Sequence, residues 1–250
     1  IFDNEKIDLI FICTNSDLNF KFTKYFLSKK INVFCEKPMA FKAEEVKQII
    51  KLSKQNKKVV VEDFIHTHNN NFIHFAKIFK SKYAKNNLEV INFEFGNNGP
   101  VKKNISPLWD WGPHVFSCLY NLISSFKKIN IEKINLENNK DGSKTNYYIE
   151  FSDQHNCKII LRFGNNLTSR KSKIFFKILN EKYTYGDKYI LKEKKQIKKR
   201  LNFIKKDPLT CIINSSLKKI NAKKYYTDNI SLEVVKILEK IDKKINAQIS

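Results

Sequence analysis

Arginine is almost missing from a strongly basic chain. Of 250 residues, 47 are Lys or Arg against 25 Asp or Glu, a net charge of +22, yet only Arg162, Arg170 and Arg200 are arginine. Arginine is the side chain best suited to bidentate phosphate and base contacts. Its scarcity argues against reading the charge as a nucleic-acid surface. The abundance of Lys, Asn and Ile, as in the NNN run at 69–71, fits the compositional bias of AT-rich coding sequence at tolerant surface positions. Glycine is also scarce: there are six, and none precedes Gly96. Methionine occurs once, as Met39, and the chain starts at Ile1 and runs straight into a strand-like segment. The expectation is that an amino-terminal portion precedes it. The five cysteines (Cys13, Cys35, Cys118, Cys157 and Cys211) are odd in number, widely spread and never in C-x-x-C spacing. That pattern offers neither a disulfide framework nor a zinc site. No apolar run approaches the roughly 20 residues of a membrane span, and the start does not read as a signal peptide. The expected setting is the reducing cytoplasm, with no metal, no membrane and no nucleic-acid partner.

What is present is a 42% hydrophobic chain long enough for a sizeable core, in one large domain or two small ones. IDLIFIC (7–13) is a continuous apolar run, as in a parallel strand covered on both faces. Helical spacing follows at Leu18, Phe22, Tyr25 and Phe26, with Ser16 or Asp17 as the expected cap. INVFC (31–35), an amphipathic helix over 42–56 and KVVVEDF (58–64) complete a strand–helix–strand–helix–strand order. This is the signature of a doubly wound α/β sheet. Beyond it the spacing predicts a helix over 70–83, a strand over 88–96 and a helix over 113–126 opened by Pro113. Strands are expected around 131–136, 145–152, 157–164 and 173–179, and their uninterrupted succession implies an antiparallel sheet. The basic stretch 188–206 reads as a solvated face or loop, and 231–245 as a closing helix capped by Ser231. The fold class is therefore α/β: a partial doubly wound domain over 1–64, then an α+β domain with a large, mainly antiparallel sheet over 65–250.

Two stretches can hold chemistry. In open α/β sheets ligands bind at the carboxyl ends of the strands, and two such ends are CTNSD (13–17) and CEKP (35–38). Glu36 and Lys37 stand where a sheet presents residues to a ligand. Pro38 restricts Lys37 to extended geometry and can hold a cis bond. A lysine here can donate to a hydroxyl or carbonyl oxygen and stabilise charge developing on it; a strand end that happens to be charged is the plainer alternative. The second stretch is PLWDWGPHVF (107–116). With Gly112 near the cap, His114 falls in the first helical turn, where the positive helix end disfavours the imidazolium. Asp110, four residues earlier, can orient it, and a neutral His fixed by a carboxylate is the usual general acid/base. A capping Asp and a structural His are the plainer reading. His66, His68, His74 and His155 are expected to be solvated or structural.

In this order and spacing, VFCEKPMAF (33–41) and WDWGPH (109–114) resemble the E-K-P and D-x-G-x-H motifs of the Gfo/Idh/MocA family of NAD(P)-dependent oxidoreductases. A CT strand end (13–14), DPL (207–209) and SLEVVKILEKI (231–241) extend the likeness over nearly the whole chain. The resemblance implies a Rossmann domain, NAD or NADP as cofactor, and hydride transfer to or from a hydroxyl-bearing carbon of a sugar, nucleotide-linked sugar or cyclitol. It implies that Lys37, His114 and Asp110 are catalytic and that Cys13, Thr14, Asn15, Glu36, Lys37 and Pro38 line the cofactor site. It also implies a homo-oligomer through the open face of the second sheet, which exposed apolar residues on strands such as 145–152 would support.

The departures are specific. The G-x-G-x-x-G turn that holds the pyrophosphate is absent, so the chain keeps the nicotinamide side of such a site and lacks the adenosine side. Where the family has T-P-N-x-x-H, Asn19 stands at the His position, and Ser117 stands three residues after His114 where Asp is common. Three other readings stay open: a non-catalytic binding or scaffold relative, a basic nucleic-acid binder, and NAD-assisted glycoside cleavage in place of net oxidation.

Overall fold

A computed structural model describes residues 7–83, 88–154, 156–195, 197–201, 206–225 and 229–249. His155 therefore lies outside the described residues. The chain divides into two compact units, Ile1–Ile65 with Leu209–Ser250, and His66–Pro208.

The first unit is built on three parallel strands, β1 (Leu9–Ile12), β2 (Asn32–Cys35) and β3 (Val60–Glu62), in the order β1-β2-β3. The connecting helices are α1 (Ser16–Ser28) and α2 (Ala43–Asn56). Central β2 is buried at every residue, as a strand covered on both faces must be. On β1, Phe11 is 47% exposed, and its ring lies tilted against that of Phe34 at 5.1 Å. The α2 start is fixed by Glu45, whose carboxylate accepts the Phe41 and Lys42 N–H groups at 3.2 Å. Two further helices complete the unit. In chain order they follow the second sheet, but in space Ile212 packs in a cluster with Phe34, Val59 and Val61. The last helix gives the Glu239 carboxylate to the Ala43 N–H at 3.2 Å. Residues 209–250, expected in the second domain, thus pack with the first: the apolar face of β2 and β3 needs a cover, and the closing helices supply it.

The second unit opens with a 3-10 turn (Ile65–His68) and α3 (Asn70–Tyr83), followed by β4 (Leu88–Gly96) and α4 (Pro107–Ile123). Seven strands follow: β5 (Ile129–Asn138), β6 (Thr145–Asp153), β7 (Lys158–Gly164), β8 (Lys171–Ile178), β9 (Glu181–Gly186), β10 (Tyr189–Lys194) and β11 (Ile197–Leu201). The closing helices of the first unit are α5 (Pro208–Asn221) and α6 (Ile230–Ile249). The eight-stranded sheet runs β11-β10-β9-β8-β4-β7-β6-β5, antiparallel except where β4 pairs with β7. Its buried face follows strand alternation: Ile159, Leu161 and Phe163 of β7 point inward with Ile149 and Phe151 of β6. Phe116 of α4 meets Phe151 and Phe163 edge-on, and Phe75 and Phe79 of α3 meet Phe176. The outward residues of β6 are Tyr148, Glu150 and Ser152, so its apolar side chains serve the core and not an exposed patch.

Three expectations are corrected. The basic stretch 188–206 contains β10 and β11. The solvated-face part of that expectation fits exposed β11, but the loop part does not: outward lysines on an edge hairpin hide the alternation, and Lys192 and Lys198 find acids at Glu181 and Glu193. Helix α6 starts one residue before Ser231, and the Asn229 carbonyl accepts the Glu233 N–H. Helix α4 starts six residues before Pro113, with consequences for the site.

Candidate active site

Three strand ends meet in the first unit. The Glu36 N–H donates to the Ile12 carbonyl at 2.9 Å, and the Asp63 N–H to the Cys35 carbonyl at 2.8 Å. The parallel ladder thereby carries its register past the strands and sets Cys13, Glu36 and Asp63 side by side. Lys37 and Pro38 are joined by a cis peptide bond. The Lys37 N–H donates to the Glu36 carboxylate at 3.1 Å, and the Met39 N–H to Glu62 at 2.9 Å. Lys37 is half-buried, while Cys13, Thr14 and Asn15 are exposed. Asn15, and neither Ser16 nor Asp17, caps α1, its extended backbone giving the carbonyl to the Leu18 N–H. The six residues expected around a cofactor are thus gathered at one sheet end. Burial first, then the charges of Glu36 and Asp63, push the Cys13 thiol up, so Cys13 stays a neutral thiol there.

Asn19 organises this end. It is fully buried, and its Nδ2 donates to the carbonyls of Glu36 and Pro38, both at 3.0 Å. Its Oδ1 accepts the Thr14 hydroxyl at 3.0 Å. One amide therefore ties the β1 turn to both sides of Lys37–Pro38. A carboxylate could keep the Thr14 bond but cannot donate to two carbonyls. Asn19→Asp is expected to lower stability by about 2–3 kcal/mol, the cost of buried acceptors left unmet and a buried charge, and urea unfolding reads it directly. An unchanged midpoint would mean that Asn19 does not hold the loop.

In the second unit, α4 begins after Ser106, whose carbonyl accepts the Trp109 and Asp110 N–H groups at 3.0 and 2.9 Å. Ser106 followed by Pro107 is an ordinary helix start, and it is the signal that Gly112–Pro113 obscured. Pro113 lies inside the helix, where it supplies no N–H to the ladder. Asp110 is consequently in the first turn, and His114 lies one turn on, on the same face. Asp110 pairs with Lys102 at 3.1 Å. His114 Nδ1 is buried. The ring lies 6.0 Å from that of Trp111 and 4.9 Å from that of His66, edge-to-face in both cases. The Ser117 hydroxyl turns back to the His114 carbonyl at 3.0 Å.

Residues 1–64 match the profile of a family described as "Oxidoreductase family, NAD-binding Rossmann fold". This stretch, about a quarter of the chain, is thus similar to the Gfo/Idh/MocA oxidoreductases. The uncharacterized oxidoreductase YgjR of Escherichia coli (strain K12) is 40% identical over 62 residues, which are 25% of this chain and 19% of that protein. The chain thus matches only a fifth of that relative's length. Solved structures extend the likeness in fold. KijD10, a 3-ketoreductase from Actinomadura kijaniata in complex with TDP-benzene and NADP, superposes with TM-score 0.81 at 11% identity, over 95% of this chain and 77% of its own. The dehydrogenase MviM from Clostridium difficile gives 0.80 at 15% identity, over 95% and 79%. UDP-N-acetylglucosamine 3-dehydrogenase GnnA from Acidithiobacillus ferrooxidans gives 0.74 at 13%, over 93% and 77%. The fold of these proteins, a Rossmann-type parallel sheet followed by a large mixed sheet, therefore runs through the chain.

Four residues at these two places escaped the sequence reading as site residues: Asn19, Asp63, His66 and Asp187. In the sequence Asn19 stands out only as a departure from the family pattern, and His66 reads as solvated or structural. Asp63 had a legible signal in the acidic pair that ends KVVVEDF. Asp187 had none, because a turn Asp in a polar stretch looks like any other.

Proposed function

We propose that this chain acts in an NAD(P)-dependent oxidoreductase that transfers hydride between nicotinamide and a hydroxyl-bearing carbon of a sugar, nucleotide-linked sugar or cyclitol. The observation that supports it most is the strand-end cluster, where Asn19 fixes Glu36, Lys37 and cis Pro38 at the ligand-binding end of a parallel sheet. Exposed Thr14 and Asn15 and half-buried Lys37 offer the mixed donors and acceptors that a nicotinamide ribose needs, so the residues present fit the nicotinamide half of the cofactor. Bound there, the nicotinamide supplies or accepts the hydride.

In this reading the Lys37 ammonium donates to the reacting oxygen, favouring the alkoxide-like charge that develops as the C–H bond breaks. His114 takes the hydroxyl proton during oxidation and returns it during reduction. Asp110, held by Lys102, orients the substrate or His114. The TDP-benzene held in the KijD10 complex and the UDP sugar in the name of GnnA favour a nucleotide-linked sugar within the wider class.

The test uses reduced nicotinamide mononucleotide, which asks nothing of an adenosine site. Its fluorescence is expected to report saturable binding, weakened about 10- to 100-fold in Lys37→Met, the worth of one charge-assisted hydrogen bond. No saturable binding, or equal binding by the variant, would overturn the reading.

A further inference from the structure

Helix α4 places His114 eighth in the helix, beyond the first turn over which the helix end acts on charge. Something else must keep it able to accept a proton, and the surrounding side chains supply a candidate. His66, from the 3-10 turn, is only 12% exposed at its side chain and is wedged edge-on between Phe95 and His114, at 5.2 and 4.9 Å. On the other side, its Nδ1 is 3.7 Å from Asp187 Oδ1, within ion-pair range. Asp187 is itself anchored. Its carboxylate accepts the Tyr185 hydroxyl at 3.1 Å, and its main-chain carbonyl accepts the Asn69 and Asn71 amides at 3.2 and 3.0 Å. Burial opposes ionisation of Asp187, but His66, Tyr185 and Ser172 outweigh it and hold the carboxyl below the usual range.

We propose that His66, anchored by Asp187, is a positioning residue for His114, fixing its ring edge-on and setting a proton on the far side of the pair so that His114 stays the neutral, proton-accepting member. Two imidazolium rings at this separation repel, so a proton on one disfavours a proton on the other. The groups around the pair decide which ring holds it. From β8 and β9 come the Ser172 and Tyr185 hydroxyls. Tyr185 is kept neutral by burial first and Asp187 second. From α4 come Trp111, the buried Cys118, whose thiol burial pushes up, and Asp110, whose charge is met by Lys102. Asp187 lies against His66, so the attraction favours the proton there.

The proposal rests on the reading of His114 as the acid/base, but its test does not need turnover. The full chain, labelled with ¹³C-histidine, is titrated by NMR, and the His114 signal is assigned through His114→Asn. His66→Phe keeps a ring against Phe95 and His114 while removing the charge. The His114 midpoint is expected to rise by about one pH unit, as it does when a neighbouring cation is lost beside a retained anion. His66→Gln provides a second neutral variant and is expected to do the same. In an Asp187→Asn background the rise caused by His66→Phe should shrink to less than half. A His114 midpoint unmoved in both single variants of His66 would overturn the proposal. Turnover that survives His114→Asn would instead remove the catalytic reading and leave the titration result standing.

Discussion

Asp63→Asn is expected to be about 3 kcal/mol more stable than the parent at about pH 8, and to remove a fall in stability that the parent shows between about pH 4 and pH 7. Asp63 follows β3 and is 4% exposed. Burial, the Glu36 charge and a hydrogen bond with Glu36 raise its carboxyl to about 7, against a smaller opposing pull from Lys37. The sign follows from proton counts. Between the ordinary carboxylate value near 4 and the folded value near 7, the unfolded chain has lost this proton while the folded chain keeps it. Stability from this group is therefore complete below about pH 4 and is lost as pH rises through about 7. Each unit of difference is worth about 1.4 kcal/mol, so a total of about 3–4 kcal/mol is at stake. Asn keeps the shape and the hydrogen-bonding role of the protonated form, and has no proton to lose. Urea unfolding of both proteins at several pH values between 4 and 8 isolates the effect as a difference. Parallel curves would show that Asp63 does not hold a proton against Glu36. As Asp63 loses its proton near neutrality, the strand end beside Lys37 gains one negative charge. Binding of anionic ligands near Lys37 should therefore weaken as Asp63 ionises.

The physics of the parallel sheet explains why the first site was legible and its supports were not. Strands of a parallel sheet read as apolar runs, so β1, β2 and β3 could be seen in the sequence, although only β2 and β3 are buried at every residue, and their carboxyl ends follow by definition. Glu36, Lys37 and Pro38 are conspicuous there because each breaks an apolar run. Asn19 is not conspicuous: it sits on the inner face of α1, and its role depends on two carbonyls seventeen and nineteen residues away. In α4 the strongest local signal misled. Gly-Pro commonly marks a helix start, but Ser106–Pro107 is the start that tertiary packing selects, and Phe116 and Val115 continue its buried stripe. That shift changes the chemistry as well as the boundary. His114 moves out of reach of the helix end, and its environment becomes His66, Trp111 and, through His66, Asp187. No local pattern joins His66 to Asp187. They meet because the turn before α3 and the turn after β9 lie at the same end of one sheet.

Gly164→Ala is expected to carry a structural penalty of about 4 kcal/mol in the second unit, with a corresponding loss in the midpoint of thermal or urea unfolding. Gly164 ends β7 opposite Gly96 of β4, and both have φ of 152°. A methyl group at Gly164 would lie 2.2 Å from the Thr145 carbonyl oxygen and 2.8 Å from Asn146 Cα. These are main-chain atoms of β6, so no rotamer change relieves the contact. Overpacking costs about 1–3 kcal/mol, and a non-glycine residue in this region of φ about as much again. The glycine pair lets the β6–β7–β4 ladder close tightly, and Asn146 exploits it: its side chain donates to the Asn166 carbonyl at 2.9 Å and accepts the Asn166 N–H at 3.0 Å. Phe95, next to Gly96, is the wall on which His66 rests. A ladder forced apart here would reach His114 through that ring. The variant should therefore broaden or shift the His114 signal as well as lower stability. A Gly164→Ala protein as stable as the parent would show that β6 can withdraw without cost, and that the close approach of these strands is not what holds the Phe95 wall in place.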